Sequence, residues 1–259
     1  AVGGFPPSTL EFEGSSLGDF PVGGYARVLA ALGPDARMGA EVVSVAYGLD
    51  GVEVGLADGS VERGSHLLVT VPLGVLKAGT IEFRPGLPEA KAGAISRLGF
   101  GRFEKVVVAF DEPVGAGQPH LYPIGEQEFR VVMAMDRFWG RPVVVATAFG
   151  SSADLLVDGS DDEVVDHLMG HLRAAWGPVP DPVEIARSGW ANDPFARGAY
   201  TFVPPGSSRP DLDLLGEPVA GRVLFAGEAT ASARVGYVDG AFATAIREAR
   251  FCFLSARTT

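Results

Sequence analysis

Apolar and polar positions along this chain follow two periods, and the changes of period mark out its elements. Tyr25 to Leu32, after Gly23-Gly24, reads as a short helix closed by Gly33-Pro34. Glu41 to Tyr47 and Val52 to Leu56 alternate as half-buried strands. The turn pair Asp58-Gly59 then leads into Ser60 to Arg63, which predicts a small β-meander. His66 to Val71 is a nearly continuous apolar run ended by Pro72, the pattern of a strand buried on both faces in a parallel sheet. A helix is expected from Pro88, with Ala94, Ile95 and Leu98 on one face. Lys105 to Phe110, Val131 to Met135 and Val143 to Phe149 read as strands of an antiparallel sheet.

The second half carries sharper signals. Ser160-Asp161-Asp162-Glu163 is a capping box that opens a helix to about Trp176, because the serine and the glutamate can each satisfy the other's backbone N–H. Arg222 to Phe225 is a short buried strand leading into Ala226-Gly227-Glu228. In the last helix Val238, Phe242, Ala245, Ile246, Ala249 and Phe253 form an apolar stripe of the kind that faces a core, with Arg247, Glu248 and Arg250 on other faces. A strand, a loop and a closing helix are parts of a nucleotide-binding α/β layer. Residues 1–20 hold one alternating piece, Leu10 to Glu13, and a Gly/Ser loop, and read as edge material.

Composition narrows the function. Of 259 residues, 47% are hydrophobic and 20% charged, enough to close a core; 35 glycines and 19 prolines fall between apolar runs as turns. The net charge of −11, with Lys77, Lys91 and Lys105 as the only lysines, argues against a nucleic-acid partner, which needs a basic surface. No apolar run reaches membrane-spanning length, and no signal peptide follows Ala1, which favours the cytoplasm. The single cysteine, Cys252, expected in a helix, leaves no disulfide framework or multi-thiolate metal site within the chain.

Three local patterns fail on their physical requirements. Gly14-Ser15-Ser16-Leu17-Gly18 matches a serine-hydrolase elbow, but Asp19-Phe20-Pro21 follows where a helix must start. His167 and His171 have the spacing of a zinc-binding helix, but no catalytic glutamate lies between them. Asp158 to Glu163 lacks the alternating ligands and central glycine of a calcium loop, and acids favour a helix start. No metal is expected.

Four segments carry more: Thr70-Val71-Pro72-Leu73-Gly74-Val75-Leu76-Lys77, Arg97 to Val107 with its Gly99-Phe100-Gly101 and Lys105, Trp190 to Tyr200, and Phe225-Ala226-Gly227-Glu228-Ala229-Thr230. In this order they resemble the flavin-containing amine oxidases, which include monoamine oxidases, polyamine oxidases and lysine-specific histone demethylases. The resemblance runs from about Gly23 to the last helix. The Gly-x-Gly-x-x-Gly unit that opens such enzymes is missing, so the resemblance covers only their C-terminal two-thirds. It implies an α/β fold in which part of a Rossmann-like, FAD-binding domain (21–101 and 212–259) is interleaved with part of an α+β substrate domain (1–20 and 102–211) that holds the antiparallel sheet. It also implies that the missing N-terminal segment, or a chain supplying it, is a partner, that this chain is inactive without it, and that the chain alone is unstable or dependent on that partner. A homo-oligomer is left open.

The resemblance also assigns residues. It puts a water held by Lys105 beside the flavin N5, and it makes Tyr200 and Tyr237 an aromatic pair that flanks the substrate nitrogen. Demethylases have a smaller residue at the second of these positions, so Tyr237 points to a small amine rather than a histone tail. Cofactor contacts fall on Val42, Val71, Pro72, Trp190, Phe195, Gly227, Glu228 and Val238: main chain at Val42 for the adenine, a carboxylate at Glu228 for cofactor hydroxyls, and helix N–H groups from Val238 for the flavin pyrimidine ring. Monoamine oxidases attach FAD through a cysteine just before the first tyrosine, where this sequence has Ala199, so FAD is expected to be non-covalent. The implied activity is oxidation of an amine with O2 as second substrate and hydrogen peroxide as product. Two alternatives remain: an L-amino-acid oxidase that uses Arg130, Arg137 or Arg197 for a carboxylate, and a binding or assembly module without cofactor.

Overall fold

The structure is a computed structural model, and it describes residues 25–32, 36–115, 120–122 and 128–255. Residues 1–40 form one compact unit and 41–259 another. In the first, α1 (Tyr25–Leu32) is the described element, and it leaves Tyr25 and Leu29 exposed. The Ser16 elbow pattern and the edge material of 1–20 lie outside the described residues.

The second unit opens with the expected meander: β1 (Val42–Gly48), β2 (Gly51–Leu56) and β3 (Val61–Gly64) are joined antiparallel. Gly59 takes the positive φ of +84° at the second turn, where Asp58 Oδ1 accepts from the Ser60 N–H at 2.8 Å. After β4 (Leu67–Val69) and α2 (Leu73–Ala78), β5 (Glu82–Arg84) returns parallel to β1 and completes a four-stranded sheet in the order β3-β2-β1-β5. Pro88 caps α3 (Glu89–Arg97), and the buried Leu98 sits just past its end.

A five-stranded antiparallel sheet follows. Its strands are β7 (Phe103–Ala109), β8 (His120–Leu121), β9 (Val131–Ala134), β10 (Val143–Phe149) and β11 (Glu184–Arg187), in the order β11-β7-β10-β9-β8; a short β6 (Gly99–Phe100) precedes them. Between them come α4 (Asp136–Trp139), α5 (Asp154–Asp158) and α6 (Asp161–Trp176). The α6 capping box forms as expected: the Ser160 N–H donates to Glu163 Oε2 at 2.8 Å, and the Glu163 N–H donates to Ser160 Oγ at 3.3 Å. Val164, Leu168, Met169 and Leu172 then bury one helical face against Val106, Val108, Val144 and Ala146 of the sheet.

The chain ends with β12 (Thr201–Phe202), paired with β6, then α7 (Arg209–Gly216), β13 (Val223–Phe225) and α8 (Val238–Ser255). β13 lies parallel to β4, with Leu68 opposite Leu224, which gives the parallel pairing expected for this α/β layer. Two expectations need correction. β4 is not buried on both faces: Leu68 is 37% exposed while Val69 is buried, so among the described residues one face of the strand is left uncovered by a packed layer. The α8 stripe does not face the core: Val238, Phe242 and Ile246 are exposed, and Gly240, Thr244 and Glu248 are buried instead. The reason is hydrogen bonding and fit. The Gly227 N–H donates to Thr244 Oγ at 3.0 Å, Thr244 Oγ–H donates to the Ala241 carbonyl at 2.9 Å, and a Cβ at position 240 would collide with the Arg234 carbonyl. Cys252 is half-buried on this helix, and burial raises its thiol pKa.

Candidate active site

Loops at the ends of β4 and β13 shape a cavity of about 220 Å3. Thr70, Val71 and Pro72 form one side, Ala226, Gly227 and Glu228 another, and Ala199 and Ala241 close it. A site outside the carboxyl ends of parallel strands is where open α/β layers take ligands. Gly227 has φ +139°, and a Cβ there would meet nothing within 4 Å, so its backbone faces open space. The volume is below the roughly 300–1,000 Å3 of a typical complete ligand pocket, so the described residues supply part of a site's wall. Small, mostly apolar side chains and open backbone suit the flat ring of a flavin.

Close packing fixes the neighbouring turn. A Cβ at Gly74 of α2 would lie 2.5 Å from the Ala196 carbonyl oxygen and 2.9 Å from that of Arg197. Only glycine lets this helix meet the turn that leads to Tyr200. Tyr200 and Tyr237 are both exposed. Phe103 connects the first to Lys105: its ring centroid is 5.9 Å from that of Tyr200, and Lys105 Nζ stands 5.6 Å from the Phe103 centroid, within cation–π reach. Phe103 and Lys105 share a strand face because they are two residues apart in β7. Arg234 lies over Tyr237, its guanidinium carbon 4.3 Å from the ring centroid, while its Nε donates to Asp239 Oδ2 at 2.9 Å. That bond raises the arginine pKa and lowers that of Asp239.

Two carboxylates knit the site. Glu104, on the other face of β7, is fully buried and accepts from the Ser188 hydroxyl, the Trp190 N–H at 3.3 Å and the Ala191 N–H at 2.8 Å. Ser188 Oγ in turn accepts from the Lys105 N–H at 2.8 Å, so the strand of Lys105 and the turn of Trp190 are bolted together. Glu228 Oε1 accepts from the Thr201 N–H and hydroxyl at 3.2 and 2.7 Å, and Oε2 from the Gly236 N–H at 2.7 Å.

The structure thus gathers Val71, Pro72, Gly227 and Glu228 at one cavity, and links Lys105 to Tyr200 and Trp190 through protein contacts. Val42 lies in β1 and packs in the core with Val45 and Val69 rather than lining the cavity. Phe195 and Val238 are exposed, the latter starting α8. Phe103, Glu104 and Ser188 escaped the sequence reading. For Phe103 the signal was its two-residue spacing from Lys105. For Glu104 it was a carboxylate beside a strand of buried valines.

Among the arginines considered for a carboxylate, Arg130 Nε donates to Ser152 Oγ and Arg197 Nε to the Pro194 carbonyl, while the side chain of Arg137 lies outside the described residues. Glu128 faces both His167 and His171, at 3.4 and 3.2 Å, which explains the histidine pair without a metal. Among the described residues no acidic, histidine or cysteine group is arranged to hold a metal ion, and no helix is long and apolar enough to cross a membrane. A larger groove of about 450 Å3 lies among α2, β5 and α3, lined by none of the expected site residues. Its Lys77 ammonium already donates to the carbonyls of Ile95, Ser96 and Leu98 at 2.8–2.9 Å.

The chain is 37% identical over 246 residues to lysine-specific histone demethylase 1 homolog 3 of Arabidopsis thaliana, covering 88% of the chain and 15% of the relative. It is 40% identical over 223 residues to homolog 1 of that plant, covering 82% and 26%. Against homolog 1 of Oryza sativa subsp. japonica the identity is 38% over 250 residues, covering 92% and 29%. The chain therefore spans less than a third of the length of these relatives. Residues 8–252 match the family described as flavin containing amine oxidoreductase, and the chain belongs to that flavin-containing amine oxidase family.

Proposed function

We propose that this chain forms part of an enzyme that oxidises a small amine with non-covalently bound FAD. The chemistry FAD supplies is acceptance at N5 of a hydride from the carbon next to nitrogen, after which the imine hydrolyses to a carbonyl compound and O2 reoxidation releases hydrogen peroxide. Val71, Pro72 and Gly227 would wall the ring, Trp190 and Phe195 would border it, and the first N–H groups of α8, from Val238, would stabilise negative charge on it. Val42 offers its main chain to the adenine. Lys105 holds a water. Tyr200 and Tyr237 strip water from the amine and align its C–H bond. Pyrophosphate binding falls to an N-terminal segment of the same enzyme, since the described residues contain no glycine-rich unit for it. The domains follow the split given above, with the cavity walled mainly by the FAD-binding part and closed by Ala199 of the substrate part.

The observation that carries this reading is the convergence of 70–72, 199, 225–230 and 241, distant in sequence, on one cavity in a chain of this family. The test is an absorbance spectrum of the purified enzyme followed by anaerobic addition of a small amine. Flavin bands that bleach support the reading, and bands that persist with every amine overturn it. The names of the relatives favour a second substrate, a methylated lysine in a protein. Bleaching by a dimethyl-lysine peptide but not by benzylamine or a polyamine would select it.

A further inference from the structure

We propose that Glu228 is a positioning residue whose carboxylate braces the two tyrosine-bearing segments and so fixes the gap between Tyr200 and Tyr237. The inference rests on the amine-oxidising reading of those tyrosines. The resemblance gives this carboxylate to cofactor hydroxyls, but its geometry points elsewhere. One oxygen takes both donors of Thr201, the residue after Tyr200, and the other takes the N–H of Gly236, the residue before Tyr237. Three donors on one carboxylate use most of its acceptor capacity. Thr201 is itself buried, so its donors have no water to turn to.

The braced segments also touch directly. A Cβ at Gly236 would lie 3.5 Å from Tyr200 Cδ2, and Gly236 holds φ +80°, a backbone state that favours glycine. The Gly236 backbone therefore lies close beside the first tyrosine ring, and its N–H is bonded to Glu228. Tyr200 is tied from behind as well: its carbonyl accepts from the Gly101 N–H at 2.8 Å. One side of the pair is anchored to the β6–β12 ladder; on the other, Arg234 packs over the Tyr237 ring, and Glu228 is the side chain that bonds to both tyrosine-bearing segments.

The experiment compares Glu228→Gln with the parent in residue-resolved amide exchange and in flavin and amine titrations. A glutamine keeps one carbonyl acceptor for Thr201 and turns an NH2 toward the Gly236 N–H, where two donors now face each other. We expect exchange at the Gly236 amide to quicken at least tenfold while that at Thr201 changes little. In the loaded enzyme the KM for the amine rises about tenfold and kcat falls with it, a larger loss than any in flavin content. Thr201→Val, which removes only the hydroxyl, should raise KM a few-fold and add less than its own effect in the double variant, since both act through one link. It serves as the probe if Glu228→Gln does not fold. Unchanged exchange at Gly236 overturns the brace, and so does a loss of flavin at unchanged KM, which would return Glu228 to the cofactor. If the parent's flavin is bleached by no amine, the proposed function fails, but the exchange result still decides the brace.

Discussion

Two helices of this chain, α6 and α8, have the same kind of sequence pattern and opposite fates. In α6 the apolar positions are the buried ones, sealed against the five-stranded sheet with Leu168 and Leu172 fully inaccessible. In α8 the apolar positions are open, Phe242 by 53%, and a threonine, a glycine and a glutamate make the contacts. The α6 core is closed by area, which is indifferent to detail. The α8 contact is closed by hydrogen bonds and by a glycine-sized gap, which are not. Around it the interior stays polar: Lys91, 3% exposed, donates to the carbonyls of Leu214 and Leu215 at 2.9 and 2.6 Å and lies 4.2 Å from the Phe225 ring centroid.

The contrast is sharpest when each core is cut. Leu168→Ala removes a fully buried side chain from the α6 core and should cost about 4 kcal/mol in urea denaturation. A loss below about 1 kcal/mol would mean that the sheet and helix do not share a packed core. Next comes pH, which should separate the two regions. Burial brings the Lys91 pKa down to about 8, opposed by Glu217 and Glu248 and reinforced by Arg247. Between about pH 8 and the ordinary lysine value near 10.5, the unfolded chain binds more protons than the folded one, so stability rises with pH, by up to about 3 kcal/mol. Lys91→Met should flatten that rise when the two proteins are compared across this range, and Leu168→Ala should leave it intact. A parallel rise in the Lys91 variant would assign it to other groups.

Smaller is the cap. Ser160→Ala removes the acceptor for the Glu163 N–H and should cost about 1 kcal/mol, read as a shift of the urea midpoint at constant slope. The capping box was plain in the sequence because both partners sit three residues apart and need nothing else. Three strands of the five-stranded sheet, β7, β9 and β10, were equally plain from apolar runs such as Val106 to Val108 and Val143 to Val145, whereas the short β8 and the half-exposed β11 carry no such run and escape the sequence reading. The face of α8 was not. Its period is right, but which side turns inward was decided by Gly227, Arg234 and Thr244, partners outside any local window. The candidate site divides in the same way. Lys105, Tyr200 and Glu228 stand in motifs that a reader can spot, and Tyr237 follows the last of them. Glu104 and Ser188 act across about 84 residues of sequence through a register that only the folded sheet supplies.

The last test is the smallest in effect and the most direct on the comparison. Phe242→Ser places a polar side chain where α8 already meets solvent, so little apolar burial is lost and the unfolding free energy from urea denaturation should change by no more than about 0.5 kcal/mol. The same kind of change at Leu168 strands a hydroxyl in a sealed core and costs several times more. If Phe242→Ser instead destabilises the protein as a core substitution does, then the open face of α8 is covered in the folded enzyme, and the apolar stripe faces a core after all. The two helices would then differ only in when their partners arrive, and the polar contacts of Thr244 and Glu248 would be the second face of a helix buried on both sides.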